Sequence, residues 1–266
     1  MKIAIIGVGN LGYSIALGIL GQDKIKFKSL YLSKRNLSTL NSFQNIPKVT
    51  ITTDNSEAVK NSDVIILAVQ PNQLDTVLKS IKKDINPDRH CVISVITGKT
   101  ICEIEKKLPK DTAIIRSMPN TAISVFQSMT CLSANKKGAK NIKCASTIFD
   151  ALGKTILIEE ELMQAATVVC ASGIAFWMRL IRATTQGAVQ LGFDSGIAQE
   201  ISLQTCLGAA KLLSETNSHP EREIDKVTTP RGCTISGLNE MEHQGLSSAL
   251  IKGLVKSYDK ITEIKK

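Results

Sequence analysis

Three glycines near the amino terminus have the spacing of a phosphate-binding turn. Gly7, Gly9 and Gly12 follow an apolar run at 2–6 and open a helical pattern at 11–20. In a strand, turn and helix of this kind, the first glycine permits the turn and the second lets the backbone approach a pyrophosphate. The helix amino terminus then supplies free amides and a positive dipole. The pattern predicts a dinucleotide site; a purely structural glycine turn is the alternative.

The residues after the second predicted strand indicate which dinucleotide is bound. Ser33, Lys34 and Arg35 stand there, and no Asp or Glu occurs from 24 to 53. NAD-binding folds place an acid at this point for the ribose 2′-hydroxyl, whereas a hydroxyl and two cations suit a 2′-phosphate. We therefore expect NADPH, with NADH as the weaker alternative. The other reading is that Lys34 and Arg35 belong to a solvated loop.

Two further loops leave predicted strands at the carboxyl edge of the sheet. They are Leu-Ala-Val-Gln-Pro at 67–71 and Arg-Ser-Met-Pro-Asn-Thr at 116–121. Ligands of open α/β sheets bind outside the carboxyl ends of the strands, so we expect both loops to border the ligand. Alternatively, Pro71 merely ends its strand and 116–121 is an ordinary strand exit.

A cluster of hydroxyl groups precedes a helical pattern in the second half of the chain. Thr228, Thr229 and Thr234 lie close to Pro230 and Gly232. Free amides and hydroxyls at a helix start bind anions, and a carboxylate is the expected ligand. A simple helix cap is the alternative.

The scarcity of acid–base groups narrows the chemistry. No Lys or His occurs from 156 to 209, and the histidines at 90, 219 and 243 lie outside the glycine-rich motifs. Reducing a ketone requires a positioned general acid, whereas a protonated imine needs only hydride, orientation and hydrogen bonds. The sequence therefore favours C=N over C=O as the hydride acceptor.

The elements that must position these residues divide the chain into two domains. Residues 1–160 alternate strand and helix patterns, which predicts a Rossmann-type doubly wound α/β sheet. A helix at 141–152 is expected to end at Gly153 as its C′ residue. The predicted strands are 2–6, 27–32, 64–69, 92–96, 113–116, 129–132 and 155–158.

Residues 161–266 are predicted to be all helical. Helices are expected at 162–191, from an N-cap at Asp194 to 215, after Pro220, after Thr229 and after Gly245. The first of these helices carries so few charges that it predicts packing against a second subunit. We therefore expect a homodimer formed through this helical domain.

Composition excludes several classes of protein. The 266 residues are 43% hydrophobic and 21% charged, which is ordinary for a globular chain. The net charge of +9 is spread along the sequence and only 4% of residues are aromatic, so we expect an anionic small ligand and no nucleic acid. The apolar run at 3–6 is too short for a secretory signal and no stretch predicts a membrane span, so we expect a cytoplasmic protein. The seven scattered cysteines predict reduced, mostly buried thiols and no metal site.

Taken together, the motifs resemble the pyrroline-5-carboxylate reductase family along nearly the whole chain. The resemblance implies NADPH-dependent reduction of 1-pyrroline-5-carboxylate to proline in a Rossmann domain followed by a helical dimerisation domain, often assembled into rings of dimers. It rests on IGVGN at 6–10, SKR at 33–35, Asn55, DVIILAVQP at 63–71, ISVITG at 93–98, RSMPNT at 116–121, ASGIAF at 171–176, HP at 219–220 and VTTPRGCT at 227–234.

The same resemblance assigns roles to individual residues. It implies that a glycine turn and the amides after it hold the pyrophosphate, that a basic loop holds the 2′-phosphate, and that two loops line the nicotinamide. The hydroxyl of Thr234 would hydrogen-bond the ring nitrogen of the substrate. The implied cofactor residues are Gly7, Gly9, Asn10, Leu11, Ser33, Lys34, Arg35, Asn55, Ala68, Val69, Gln70 and Pro71; the implied substrate residues are Pro119, Asn120, Thr229, Gly232, Cys233 and Thr234.

Departures from the family pattern leave the substrate open. Gln70 stands where the family usually has lysine, Ile174 stands in the GSGPAY segment, and Arg231 replaces a glycine beside the expected carboxylate site. Arg231 would strengthen anion binding, crowd a five-membered ring or accommodate a different substrate. The alternatives are a related imine or β-hydroxyacid reductase, and a catalytically silent NADP-binding paralogue.

Overall fold

The structure is a computed structural model that describes residues 1–21 and 25–264. The chain forms two compact units. The described part of the first consists of 1–21, 25–172 and 258–264, and the second of 173–257.

The first unit is built on one eight-stranded sheet in the order β3-β2-β1-β4-β5-β6-β7-β8. Strands β1 to β6 are parallel, β7 is antiparallel to β6, and β8 is parallel to β7. The strands are β1 (Lys2–Ile6), β2 (Ser29–Ser33), β3 (Val49–Thr52), β4 (Val64–Leu67), β5 (Cys91–Ser94), β6 (Ala113–Met118), β7 (Ser128–Ala134) and β8 (Gly153–Leu157).

Helices cover both faces of this sheet. They are α1 (Asn10–Leu20), α2 (Asn55–Lys60), α3 (Leu74–Ile81), α4 (Ile101–Glu105), α5 (Ile142–Asp150) and α6 (Met163–Ala166). Side chains alternate between the two faces of a strand. Ile3 and Ile5 accordingly pack into the cluster that includes residues of α1, while Ala4 and Ile6 pack into the cluster that includes residues of α3. A strand buried on both faces must be apolar throughout, which is why the strand patterns could be recognised in the sequence.

The seven strands predicted from the sequence are all present, and β3 is an eighth. Its sequence, Val-Thr-Ile-Thr, is short and half polar, which fits an edge strand with three of its four residues only partly buried. The prediction that Gly153 is the C′ residue of a helix is wrong. Helix α5 ends at Asp150 with Ala151 as its cap, and Gly153 begins β8 with a φ of 153°. A Cβ at Gly153 would lie 2.0 Å from the carbonyl oxygen of Ser128, so glycine is required by close strand packing.

Only helices follow β8 in the described residues, as predicted for 161–266, and the second unit takes up 173–257 of this region. A π-helical segment (Thr167–Ser172) leads directly into α7 (Gly173–Gln190). The further helices are α8 (Ser195–Thr216), α9 (Pro220–Val227), α10 (Cys233–His243) and α11 (Leu246–Ile264), the last of which ends in the first unit. Asp194 caps α8 as predicted, accepting a hydrogen bond of 2.8 Å from the amide of Gly196.

Much apolar surface in the helical part of the chain is exposed to solvent. Of the 18 residues of α7 only Gly173 and Thr185 are buried, while Trp177 is 60% exposed and Leu191 just beyond it 84% exposed. Among the described residues, one helical stretch, Glu160–Gln190, is long and apolar enough to cross a membrane, but a soluble core helix passes the same test. Only 22% of its most apolar window is buried within this chain. Surface of this kind marks an interaction site.

The cysteines differ from expectation in their burial. Cys91 and Cys131 are buried, Cys102 and Cys233 are exposed, and the remaining three are intermediate. The prediction of mostly buried thiols is therefore wrong. Cys102 is exposed in the short helix α4, and Cys206 and Cys233 lie in α8 and α10, where two residues and none, respectively, are buried.

Candidate active site

The glycine turn between β1 and α1 has the geometry that its sequence predicts. Gly7 has a φ of 93°, and a Cβ there would lie 2.4 Å from Cγ1 of Val69. A Cβ at Gly9, by contrast, would meet no atom of the described chain within 4 Å beyond the turn itself, so the backbone is open to a ligand. Gly12 packs tightly, since a Cβ there would lie 2.7 Å from the carbonyl oxygen of Gly7.

The amino terminus of α1 presents unpaired amides beside this turn. Gly9 is the N-cap and no side chain caps the helix. Asn10 and Leu11 occupy the first two positions, where helical geometry provides no intrahelical acceptor for the amide. There is no acidic residue in the first turn, so the positive end of the helix dipole is not neutralised there.

A cavity of about 540 Å³ opens at this point of the sheet. It adjoins the ends of β1, β2 and β4, where the strand order reverses and where open α/β sheets bind their ligands. Of the predicted cofactor residues, the cavity brings together Gly7, Gly9, Ser33, Lys34, Arg35, Asn55, Ala68, Val69 and Gln70. Asn10 instead lines an adjacent cavity of about 360 Å³, which also includes Gly9 and Lys34. Leu11 and Pro71 line neither cavity.

Backbone contacts fix the loop after β2 against the glycine turn. The amides of Gly7 and Val8 donate to the carbonyl of Ser33 at 2.9 and 3.2 Å. The amide of Lys34 donates to Thr52 at the end of β3 at 3.1 Å, so the strand that sequence analysis missed positions this lysine. The basic loop is therefore held by both neighbouring strands.

The side chains of this loop form the polar rim of the cavity. Ser33 donates a 2.6 Å hydrogen bond to Oδ1 of Asn55, and Lys34 Nζ donates to Oγ1 of Thr39 at 2.7 Å. Arg35 is exposed. No carboxylate appears among the described residues lining the cavity, so its charge is positive and suits a phosphate.

Asn55 owes its position to a helix cap. Asp54 accepts hydrogen bonds from the amides of Ser56 and Glu57 and thereby starts α2 at Asn55. Helix α2 thus begins at the cavity, and its first side chain meets Ser33.

One wall of the cavity was missed by sequence analysis. Gln73, Thr76, Val77 and Ser80 line it from α3 and the turn before it, together with Ile6, Asn36 and Asn72. Spacings of three and four residues place the first four on one helix face. The signal was present in this spacing, but a polar helix face is also what a solvated surface produces.

The loop after β6 is fixed by its own hydrogen bonds. Asn120 accepts from the amide of Ala122 through Oδ1 at 3.0 Å, and its Nδ2 donates to the carbonyl of Cys170 at 2.9 Å. Its amide donates to Oγ of Ser128 at 3.1 Å. Pro119 and Asn120 do not line the cavity at the glycine turn, so the structure does not bring them into contact with that group.

An ion pair between a buried arginine and a half-buried glutamate supports the strand that leads to Asn120. Arg116 in β6 is 4% exposed and its guanidinium donates to Oε1 of Glu160 at 3.0 Å. The same oxygen accepts the amide of Ile101 at 2.7 Å, at the start of α4. The pair thereby joins β6, α4 and the turn at Glu160–Leu162.

The predicted carboxylate-binding segment lies in the second unit, at the start of α10. Gly232 is the N-cap, with Cys233 and Thr234 in the first two helical positions. The amide of Gly232 is already used, since it donates to Thr229 at 2.9 Å, so the free donors are the amides of Cys233 and Thr234. A Cβ at Gly232 would lie 2.4 Å from Oγ1 of Thr229, which explains glycine there.

Arg231 is held in an unusual backbone conformation. Its φ of 60° lies in the left-handed region, which glycine adopts without steric cost and arginine does not. The exposed side chain adds a cation next to the free amides of α10.

A second large cavity, of about 580 Å³, is unrelated to these motifs. It lies near the amino end of β6 and is lined by surface lysines at 110, 136, 137 and 140 together with Glu105 and Asp111. It adjoins neither the glycine turn nor the carboxyl ends of the parallel strands, so we assign the ligand to the cavity at the turn. Among the described residues, no three His, Cys, Asp or Glu side chains cluster as metal ligands would.

The fold and this site define a class. A parallel sheet with the order 3-2-1-4-5-6, a glycine turn at its first crossover and a cationic cavity at the switch point belong to an NAD(P)-dependent oxidoreductase of the Rossmann type. The residues fit the cofactor, because Gly9 leaves room for a pyrophosphate and the rim supplies cations for a phosphate.

Comparison with known families identifies the group within this class. The family described as pyrroline-5-carboxylate reductase dimerisation matches residues 160–264, and the family described as NADP oxidoreductase, coenzyme F420-dependent, matches 2–98. Pyrroline-5-carboxylate reductase 2 of Dictyostelium discoideum is 42% identical, over 97% of this chain and 91% of its own. The reductase of Synechocystis is 36% identical over 100% and 99%. The chain therefore belongs to the pyrroline-5-carboxylate reductase family.

Structural comparison agrees with this assignment, although one relative is longer than this chain. Pyrroline-5-carboxylate reductase 1 of D. discoideum is 45% identical over 98% of this chain, which spans only 49% of that relative. The pyrroline-5-carboxylate reductase structure from Coxiella burnetii matches with a TM-score of 0.88 at 32% identity, over 100% of this chain and 98% of that one. A Plasmodium falciparum pyrroline carboxylate reductase with NADP bound has the same fold, with a TM-score of 0.89 at 22% identity and the same coverage.

Proposed function

We propose that this protein reduces 1-pyrroline-5-carboxylate to proline with NADPH. The observation that carries the proposal is the cavity beside Gly7 and Gly9, whose rim bears Lys34 and Arg35 and, among the residues that the structure describes, no carboxylate. The relatives named above are pyrroline-5-carboxylate reductases, which supports the choice of substrate.

The cofactor is proposed to lie along the carboxyl edge of the sheet. The amides of Asn10 and Leu11 would hold the pyrophosphate, while Ser33, Lys34 and Arg35 would hold the 2′-phosphate. Asn55 would contact the adenosine. The segment 68–71, which comprises Ala68, Val69, Gln70 and Pro71, would border the nicotinamide together with Pro119 and Asn120. NADPH supplies the hydride, and the protein binds and orients it.

The substrate carboxylate is proposed to bind at the start of α10. The amides of Cys233 and Thr234 and the hydroxyl of Thr229 would hold it, with Gly232 providing the room that the turn requires. The Thr234 hydroxyl would accept a hydrogen bond from the protonated ring nitrogen. Because that nitrogen already carries its proton, the step requires orientation and no general acid.

The test is NADPH oxidation by the purified full chain with pyrroline-5-carboxylate, run beside piperideine carboxylates and β-hydroxyacids. We expect turnover with pyrroline-5-carboxylate and a lower kcat/KM with the six-membered rings. Preference for a piperideine carboxylate would indicate that Arg231 selects another imine. Tight NADPH binding without turnover of any compound would favour the silent paralogue and contradict the proposal.

Assembly is proposed to be a homodimer through α7 and α8, with dimers free to associate further. The dimerisation family spans 160–264, and within it α7 exposes Trp177 and Met178 while α8 exposes Leu203 and Leu207. A cytoplasmic location also stays a prediction.

A further inference from the structure

We propose that Cys131 and Cys170 form a redox modification site, which a hydroperoxide such as hydrogen peroxide converts into an intramolecular disulfide. Cys131 lies in β7 and Cys170 in the π-helical segment, both in the first unit. Their Sγ atoms are 3.6 Å apart across 39 residues of sequence. A disulfide is about 2.05 Å long, so a shift of roughly 1.5 Å between the two segments brings the sulfurs to bonding distance.

The surroundings of the pair favour reaction between these two thiols. They adjoin a small apolar cluster with Met118, Met163 and Ala166. Cys131 is 4% exposed, whereas Cys170 is partly accessible and is the sulfur that a small oxidant can reach. Two other buried or half-buried thiols of the first unit, Cys91 in β5 and Cys144 in α5, make no such contact with each other among the described hydrogen bonds.

The hydrogen bond between the two thiols makes them chemically unequal. The Cys131 thiol lowers the pKa of Cys170 to about 7 by hydrogen bonding to its sulfur, against the opposing effect of burial. The pKa of Cys131 is raised, first because of this hydrogen bond and second because of burial. Cys170 is therefore the thiolate that reacts with the oxidant, and Cys131 is the thiol that follows.

The reaction balances with one peroxide. The Cys170 thiolate attacks a peroxide oxygen and the O–O bond breaks. Proton transfer to the departing oxygen releases one water, and Cys170 becomes a sulfenic acid. Cys131 then attacks this sulfur, the S–O bond breaks and a second water leaves with the Cys131 proton. Two thiols are oxidised to one disulfide while hydrogen peroxide is reduced to two waters.

The crosslink acts on a residue of the proposed site. The carbonyl of Cys170 accepts the side-chain amide of Asn120 at 2.9 Å, so a shift of Cys170 disturbs that hydrogen bond. This consequence, unlike the crosslink itself, rests on the proposed function, in which Asn120 borders nicotinamide and substrate. We expect kcat/KM of the oxidised protein to fall roughly fivefold, as for one lost hydrogen bond, and to recover with dithiothreitol.

The test combines mass spectrometry with activity. The full chain is treated with hydrogen peroxide at neutral pH, alkylated, and mapped without reduction. We expect a loss of about 2 Da from the intact mass and a peptide linking Cys131 to Cys170, formed faster as the pH rises through about 7. Cys102→Ser, which removes an exposed thiol elsewhere, should leave the crosslink intact, and Cys170→Ser should abolish it.

Several outcomes would overturn the proposal. One is alkylation of both thiols after peroxide treatment; another is conversion of Cys170 to a sulfinic acid with Cys131 still free. Cys131→Ala serves beside Cys131→Ser in case the hydroxyl unfolds the apolar cluster, and thermal melting shows which variant is folded. If the crosslink forms without changing activity, only the proposed effect on Asn120 is contradicted. Absence of activity before oxidation would instead contradict the proposed function, and the mass readout does not depend on it.

Discussion

At the scale of single residues, the structure leaves Thr234 available for chemistry. Its side chain makes no hydrogen bond within the described residues, and it occupies the second position of α10, where its amide also lacks an intrahelical partner. A hydroxyl beside free amides can contact the substrate through both groups. Arg231 adds a cation in a strained conformation three residues earlier.

We predict that Thr234→Ala lowers kcat/KM for pyrroline-5-carboxylate by roughly 10- to 100-fold. One charge-assisted hydrogen bond of about 1.5–3 kcal/mol is lost in that variant. Thr234→Ser keeps the hydroxyl and should retain most of the activity in the same steady-state assay. Equal kinetics for wild type and Thr234→Ala would remove Thr234 from the mechanism.

Lys34 is the residue that most directly tests cofactor choice. Its side chain borders both cavities beside the glycine turn, and its amide is fixed by β3. We predict that Lys34→Ala raises KM for NADPH roughly tenfold, because a charge-assisted contact to the 2′-phosphate is lost, while KM for NADH is unchanged. Lys28→Ala removes the same charge from an exposed position outside the cavities and is the control. A parallel rise for both cofactors would contradict a 2′-phosphate contact.

At the scale of elements, much of the sheet could be predicted because β1, β4 and β5 are buried on both faces. Continuous apolar runs such as 64–67 leave few other interpretations. The edge strand β3 lacks this signal, although it holds the backbone of Lys34. The π-helical segment could not be predicted either, because its residues are compatible with an ordinary helix and the wider turn depends on tertiary packing.

Site residues could be predicted where the sequence signal is local, that is, where a residue stands next to a strand end or a helix start. Ser33 ends β2, Asn55 starts α2 and Gln70 lies three residues after β4, and the structure brings them to one cavity. The contributions of Thr76 and Ser80 depend on which face α3 turns towards the sheet. That orientation is set by the apolar side chains of α3 that pack into the core. The polar face of the helix does not by itself show whether it borders a cavity or solvent.

The segment before β5 gives the fold a pH-dependent contact. His90 is buried and its Nδ1 accepts the amide of Asn86 at 2.9 Å. Burial, and then the charge of Arg89, lower the pKa of His90 below its usual 6.5, while the nearby Asp63 opposes this effect. The folded protein therefore keeps this imidazole neutral where the unfolded chain begins to bind a proton.

We predict that the stabilising contribution of the neutral His90 to the free energy of unfolding is complete above about pH 6.5 and falls as the pH drops below that value. Below that pH the unfolded chain binds a proton at His90, whereas the folded chain does not. Chemical denaturation between pH 5 and 7 measures this slope at about half-unit steps. His90→Asn retains an acceptor for the Asn86 amide and should flatten the slope, whereas an unchanged slope in that variant would assign the effect to other groups.

At the scale of the whole molecule, the exposed apolar surface of α7 and α8 requires a partner. Helix α8 buries only Ala198 and Ser202 of its 22 residues, while Leu207 is 60% exposed. The dimerisation family covers this region, and a second copy is the cover that we propose.

We predict that Leu207→Glu weakens dimerisation at least about tenfold, because a charge would have to be desolvated in an apolar interface. Thr205→Glu adds the same charge to the same helix at an exposed position two residues before Leu207, on a different face, and is the matched control. Sedimentation over a range of concentrations measures both. A Leu207→Glu variant that dimerises like wild type would place the interface elsewhere.

The account depends most on hydride reaching the carbon of a cyclic imine. Single turnover of the full chain with NADPH deuterated at its transferable position, followed by mass spectrometry of the product, measures that transfer directly. We expect proline with one deuterium on the ring carbon across the nitrogen from the carboxylate-bearing carbon. Proline without deuterium, or deuterium delivered to a hydroxyacid but not to the imine, would contradict the account.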